Sequence, residues 1–269
     1  MPREITAFSN PLIKRIRSLR EKRHRRDEGL FLAEGLRILT EADEAGHLPL
    51  YLFYSKDSAD HPLVQRLTER IEAGGEGEVI LTSRDILQKL SGKDNPQTVI
   101  GVYPDLACAL DQIDRHTAPL WMVAQSLRDP GNLGTILRTG DATGAGGLIL
   151  IDDCVDPFSV ESVRASMGAL FTQKIVQTRW EDFIPWLRAG PGMLIGTSLN
   201  TDFDYQQPRY TPPSFLLVGN ESRGLPEEYE QQCDVLVKIP MLGKADSLNA
   251  AVATAVMAYE IINQWRHQG

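Results

Sequence analysis

Cysteine is scarce in this chain of 269 residues. Cys108, Cys154 and Cys233 are the whole complement, scattered and without CxxC spacing, so neither a disulfide framework nor a zinc site is suggested. They read as reduced, structural thiols, and no metal site is expected. Long apolar runs are lacking too: none approaches the roughly 20 residues that cross a bilayer. The opening MPREITAFSN has no apolar signal-peptide core. The expectation is a cytoplasmic protein. No GxGxxG is present, and the glycine-rich GDATGAGGLIL (Gly140 to Leu150) stands between a helix and a strand. A dinucleotide fingerprint follows a strand and opens a helix, so nicotinamide and flavin binding are set aside. Internal repeats and low-complexity tracts are also absent.

What is present is ordinary globular sequence, 42% hydrophobic and 24% charged, and long enough for two modest domains. The formal charge of −8 argues against a protein that coats nucleic acid through bulk electrostatics. Its distribution differs from its sum. Between Arg3 and Arg26 lie nine Lys and Arg against only Glu4 and Glu21. Such a cluster can neutralise phosphates locally, because exposed charges are screened beyond about 10 Å. Taken alone, it reads equally as a solvated helix face. A mitochondrial presequence is the less favoured reading, since folded-looking pattern begins at Gly29.

Along the first part, Leu12, Ile13, Ile16 and Leu19 recur at helical spacing behind an Asn10-Pro11 start. Strand patterns at Leu30 to Ala33, Pro49 to Tyr54, Glu78 to Thr82 and Thr98 to Tyr103 alternate with helices at Glu34 to Ala45, Pro62 to Ile71 and after Ser83. This alternation predicts a small α/β/α sandwich. Residues 105–118 lack a strong apolar period and read as a linker between domains at 1–104 and 119–269. The second domain opens on the strand PLWMVAQ and a helix from Gly131 to Thr143. GGLILI, MLIGTS, FLLVG and DVLVKI follow as strands, with helices at Ser159 to Met167, Glu181 to Ala189, Pro226 to Gln232 and Leu248 to Arg266.

Three polar, glycine-bearing loops stand out here: DPGNLGTILRTG (Asp129 to Gly140), LLVGNESRGLPEE (Leu216 to Glu228) and IPMLGKADSLNAAVA (Ile239 to Ala253). Each follows a short apolar run and leads into a helical pattern, so all three should gather at the carboxyl edge of one sheet, where open α/β folds bind ligands. In order and spacing they resemble the signature motifs of the SpoU-type (TrmH-like) RNA 2'-O-ribose methyltransferases of the SPOUT superfamily. The first motif is matched by Asn132, Gly134 and Arg138, and the second by Gly219, Glu221, Gly224 and Leu225. The third is matched by Ile239, Pro240, Met241, Ser247, Leu248 and Asn249. DPFSVESVRASMGALF (Asp156 to Phe171) resembles the segment between the first two motifs, and GLFLAEGLRILTEA (Gly29 to Ala42) the substrate-binding domain often fused in front.

The resemblance implies an α/β chain with an N-terminal domain like ribosomal protein L30e and a C-terminal SPOUT domain containing a deep trefoil knot. It implies S-adenosyl-L-methionine as cofactor, contacted by Gly219, Ile239 and Leu248, and a homodimer. The implied substrate is structured RNA, with ribosomal RNA preferred over tRNA; a catalytically silent RNA-binding or ribosome-assembly factor is the alternative. Asn132, Arg138, Glu221, Ser247 and Asn249 form the implied catalytic set. Arg138, two helical turns into its helix, is expected to face the same edge as Asn132. In the family the matching arginine is often taken as a general base. A guanidinium with a pKa above about 12 suits a phosphate clamp better. Glu221 is the candidate to assist proton removal or to orient Arg138. Arg128, Arg164 and Arg223 are candidates for RNA phosphates. Read singly, Asn132 is a turn residue, Ser247 a helix cap and Arg138 an exposed helix cation.

Overall fold

The computed structural model describes residues 2–92 and 97–266. In chain order the first part holds β1 (Arg3–Ile5), α1 (Pro11–Ser18), α2 (Lys22–Glu28), β2 (Leu30–Glu34), α3 (Leu36–Glu44), β3 (Tyr51–Ser55), α4 (Pro62–Gly74), β4 (Glu78–Thr82), α5 (Arg84–Ser91) and β5 (Val99–Pro104). The remainder holds β6 (Ala107–Cys108), β7 (Leu120–Gln125), α6 (Pro130–Thr143), β8 (Gly147–Ile151), α7 (Val160–Ser166), β9 (Lys174–Thr178), α8 (Trp180–Arg188), β10 (Met193–Thr197), β11 (Ser214–Val218), α9 (Glu227–Glu230), β12 (Val235–Val237) and α10 (Ala250–Arg266).

Contacts divide the chain into two units, Met1–Leu106 with Asp156–Thr172, and Ala107–Val155 with Gln173–Gly269. The first is built on a sheet ordered β1-β4-β3-β5-β2. Its β1, β4 and β3 run parallel, while β5 pairs antiparallel with both β3 and β2. Ile13, Ile16 and Leu19 are the inward face of α1 and join Phe53, Ile80, Leu87 and Ile100 in its core. Asn10 caps α1 by accepting from the Leu12 amide, and Pro11 occupies the first turn, where its missing N–H is not needed.

The helix α2 was not separately foreseen, because KRHRRDE has no apolar stripe. It is tied down by a buried charge instead. Arg25 donates to the carbonyls of Leu19 and Arg20 at 2.8 Å each, and its other nitrogens reach Asp156 Oδ2 at 2.6 and 3.1 Å. Asp156 belongs to the segment that the sequence places in the second domain but that packs with the first unit. There α7 lies against β2, Arg164 pairs with the buried Glu34 at 2.6 Å, and Phe171 packs with tilted and edge-on contacts among Phe31, Tyr103 and His47. Arg164 is therefore committed to the fold rather than free for RNA.

The second unit is a wholly parallel sheet ordered β12-β10-β11-β7-β8-β9-β6. Parallel strands need burial on both faces, and β7, β8 and β11 are buried at every residue. One core face gathers Trp121, Phe183, Phe215, Trp180 and Tyr229, with the Trp180 and Tyr229 rings stacked at 3.9 Å. Two strands of this sheet escaped the sequence reading, as β1 did in the first unit: β9, and the short β6, which edges the sheet from within the expected linker. The three motif loops follow β7, β11 and β12 at their carboxyl ends, as their patterns predict. Among the described residues no helix is long and apolar enough to cross a membrane.

Candidate active site

The first motif loop turns into α6 through Asp129, whose side chain accepts the Asn132 amide at 2.7 Å, with Pro130 next in line. This capping fixes Asn132 in the first turn, where its side chain is free to look outward. Its amide group then makes two contacts. Asn132 Nδ2 donates to Glu221 Oε1 at 3.2 Å, and Asn132 Oδ1 accepts from Asn249 Nδ2 at 2.8 Å. One residue thus links the second and third motifs to the first.

Glu221 gathers donors. The backbone amides of Arg128 and Asp129 reach its Oε1 at 3.2 and 3.1 Å, and Asn220 Nδ2 approaches Oε2 at 3.4 Å. Burial pushes its carboxyl up, but the combined hydrogen bonds of its own amide, Asp129, Asn132 and Arg128 outweigh burial and hold it below the ordinary glutamate value. The carboxylate stays ionised at neutral pH and serves as a knot of acceptors between two loops. It has no contact with Arg138, so the expected bidentate pair does not form within the chain.

Asn220 was missed by the sequence reading although it shapes the second motif. Its Nδ2 donates to the Ser126 carbonyl at 2.8 Å, and its Oδ1 accepts the amides of Ser222 and Arg223. Backbone bonds in both directions between Asn220 and Gly224 close the loop. Gly219, just before it, has no room for a side chain: a Cβ there would sit 2.4 Å from the Gly224 carbonyl carbon and 2.5 Å from the Leu225 nitrogen. Only glycine lets the backbone approach so closely.

Asn249 caps α10, accepting the Ala251 amide at 2.9 Å and that of Val252 at 3.3 Å. Read singly, Ser247 is the cap candidate, with the helix starting at Leu248. The longer Asn side chain can both cap and donate sideways to Asn132, which leaves Ser247 exposed in the preceding loop.

Two adjoining concavities result. One, of about 290 Å³, is lined by Gly219, Ile239 and Leu248 together with Val218, Leu225, Met241, Ser247, Thr197, Ser198, Asn200 and Glu230. The other lies over Arg128, Asp129, Asn132, Glu221, Ser247, Leu248 and Asn249. Glu221, Ser247 and Leu248 face both. The contribution of Thr197, Ser198 and Asn200 was overlooked, though the polar TSLN after the MLIG strand was the available signal. There Glu230 accepts from the Ser198 hydroxyl and from Asn200 Nδ2 at 3.3 Å.

Arg138 is the residue that the structure does not bring in. Six residues along α6 from Asn132 amount to about 240° of rotation, not a shared face. It is exposed and has no hydrogen bond or ion pair among the described residues. Arg128 spends its guanidinium on Asp153 at 2.7 Å, while Arg223 is exposed beside the cavity. Cys154 and Cys233 are pushed up by burial to about 11 and about 12, and burial also raises Cys108, so none is a ready thiolate.

The first cavity suits an amphipathic nucleoside. Aliphatic walls of Val218, Leu225 and Ile239 can hold a purine, and the Ser198–Asn200–Glu230 cluster and open loop backbone offer partners for hydroxyl and charged groups. S-adenosylmethionine has those parts, so the residues present fit it.

Comparison with known proteins gives the same direction. A model of an MRM3-like substrate binding domain matches residues 10–101. A 23S rRNA (uridine(2479)-2'-O)-methyltransferase from Streptomyces viridochromogenes is 34% identical over 252 residues, covering 91% of this chain and 86% of the relative. A 23S rRNA (guanosine(2553)-2'-O)-methyltransferase of Bacillus subtilis is 26% identical over 96% of this chain and 99% of its own length. Among solved structures, an AdoMet-bound rRNA methyltransferase from Sinorhizobium meliloti is 38% identical with a TM-score of 0.89, covering 98% of each chain. The SpoU methyltransferase AviRb from Streptomyces viridochromogenes in complex with AdoMet aligns at a TM-score of 0.87 with 32% identity over 97% of this chain and 99% of that one. The SpoU rRNA methylase family model matches residues 119–259, and the chain belongs to that family.

Proposed function

We propose that this protein transfers a methyl group from S-adenosylmethionine to a ribose 2'-hydroxyl of ribosomal RNA, with 23S rRNA the substrate favoured by its relatives. The observation that carries the reading is the Asn249–Asn132–Glu221 chain of hydrogen bonds, which assembles three separate loops into one polar wall beside a nucleoside-sized cavity. A structural role alone would not need these groups to open onto a concave surface.

When bound, the cofactor supplies an electrophilic methyl on a sulfonium. Gly219, Ile239 and Leu248 hold it, and Ser198, Asn200 and Glu230 complete the pocket. Asn132, Ser247 and Asn249 border the adjoining concavity and orient the ribose there. Glu221 is a positioning residue: its carboxylate, held ionised by backbone amides, fixes where Asn132 points. Arg138 clamps the target phosphate and stabilises the developing alkoxide.

Arg138 lies outside the wall of its own chain, which supports its acting across a homodimer interface. The apolar Val252 and Tyr259, about half exposed on α10, support such a contact, since α10 packs on the α6 helix that carries Arg138. The family likeness supports a deep trefoil knot around the cofactor, division of labour between an RNA-gripping and a transferring unit, and a cytoplasmic location. The test is incubation with methyl-labelled S-adenosylmethionine and pools of unmodified ribosomal RNA and tRNA. Label in 23S rRNA alone is the expected result; label in tRNA alone would overturn the substrate assignment.

A further inference from the structure

We infer that the paired helices α1 and α2 form a phosphate-tracking surface that grips the backbone of the RNA substrate; this rests on the reading of the protein as an RNA methyltransferase. Folding sorts the cations of this segment into two groups. Arg25 is buried and spent on Asp156 and two carbonyls, and Arg15 is spent on Glu28 at 2.6 Å. Arg3 reaches Glu78 at 2.8 Å and Arg23 reaches Asp27 at 3.7 Å, and five others are left outward. Lys14, Arg17, Arg20, Lys22 and Arg26 have no acidic partner among the described residues, and all but the half-buried Lys22 are exposed.

Lys14 and Arg17 are three apart on α1, and Lys22 and Arg26 four apart on α2, so each pair shares one helix face. Mutual repulsion of like charges at such spacing opposes folding, and a chain of net charge −8 has acids enough to neutralise them. The acids of this stretch go to other groups: Glu28 to Arg15, Asp27 to Arg23, and Glu21 stands beside His24. Arg20 is fixed further by its neighbour: a Cβ on Gly92 would fall 2.1 Å from the Arg20 guanidinium carbon, so the missing side chain is what makes room for it.

The platform beneath is rigid, because Ile13, Ile16 and Leu19 are at most 2% exposed and Arg25 locks the turn between the helices. Unpaired guanidinium and ammonium groups on a fixed support match a phosphate backbone, which attracts cations without regard to sequence. The surface therefore supplies affinity and register, and leaves choice of nucleotide to the transfer site.

The experiment compares wild type with the variant K14Q/R17Q/K22Q/R26Q in binding an unmodified 23S rRNA transcript from 50 to 300 mM KCl. Wild type should lose affinity steeply with salt; the variant's slope of log K against log salt should be shallower by about 3, at roughly 0.7–0.9 for each phosphate no longer neutralised. Its affinity at 100 mM KCl should fall more than tenfold and its KM for RNA rise, with kcat and S-adenosylmethionine affinity unchanged. The single variants R17Q and R26Q, each lowering the slope by about 1, give the same readout with less disturbance of the fold. Equal slopes for wild type and all variants would overturn the surface while leaving the methyltransferase reading intact. A wild-type protein that neither binds nor methylates the transcript would overturn that reading itself. Variant-sensitive binding to phosphatidylglycerol vesicles with unchanged RNA binding would also overturn the surface.

Discussion

At the scale of single residues, the site is organised by acceptors more than by a reactive base. Glu221 collects donors from two loops, and its carboxyl is held below the ordinary value by the hydrogen bonds that outweigh its burial. A group depressed in the folded state stabilises the fold above its unfolded pKa, about 4.3, and that contribution is lost as pH falls through the folded value. Glu221→Gln should therefore lower the thermal midpoint relative to wild type by a constant amount from pH 6 to 8, with the difference shrinking below about pH 4.3. Thermal unfolding across pH checks this, and a difference that instead grows towards acid would refute it. Methyl transfer by this variant should drop at least tenfold, because a neutral amide with one acceptor oxygen holds Asn132 and the Arg128 and Asp129 amides more weakly than the carboxylate does.

Arg138 gives the opposite profile. It is exposed and unpartnered among the described residues, so Arg138→Ala should change stability by no more than about 0.5 kcal/mol. S-adenosylmethionine affinity should also hold. Transfer should fall more than a hundredfold, and Arg138→Lys should rescue little, since an ammonium cannot reproduce the planar fork. Full activity in either variant, measured by single-turnover kinetics, contradicts the assigned role.

At the scale of elements, the parallel strands were legible because burial on both faces leaves a continuous apolar run, as in LWMVA and FLLV. KIVQT was not, since Lys and Gln interrupt it, and Ala107–Cys108 is too short to show a pattern. The helix α2 is invisible to periodicity because a buried ion pair, not an apolar stripe, holds it. Of the site, the loops were readable from their glycines and amides, whereas directions within them were not. The cap at Asn249 in place of Ser247 depends on where α10 begins, which pattern fixes only to within a residue or two, whereas the turning away of Arg138 follows from the six-residue helical spacing itself.

Gly219→Ala drives a Cβ into the Gly224 backbone, so S-adenosylmethionine affinity measured calorimetrically should fall more than tenfold. Arg25→Met leaves the largely buried Asp156 without its partner and should cost about 3 kcal/mol in denaturant unfolding, the low end for broken buried pairs. A loss under 1 kcal/mol would mean that α2 is held by something else.

At the scale of the whole molecule, the proposed division of labour follows the two sheets. The first unit is a mixed sheet bearing the cationic helix pair, and the second a fully parallel sheet whose carboxyl edge carries all three motif loops. Sequence pattern gave the alternation of elements in both but could not assign Asp156–Thr172, because nothing in its spacing reveals that Asp156 meets Arg25 or that Arg164 meets Glu34. The activity proposed for this site is methylation of a ribose oxygen. Its most direct test is nuclease digestion and nucleoside mass analysis of 23S rRNA labelled by the purified protein with S-adenosylmethionine. A single 2'-O-methylnucleoside is expected, absent when Asn132 is replaced by alanine; a methylated base, or label that persists in the Asn132→Ala variant, would contradict that activity.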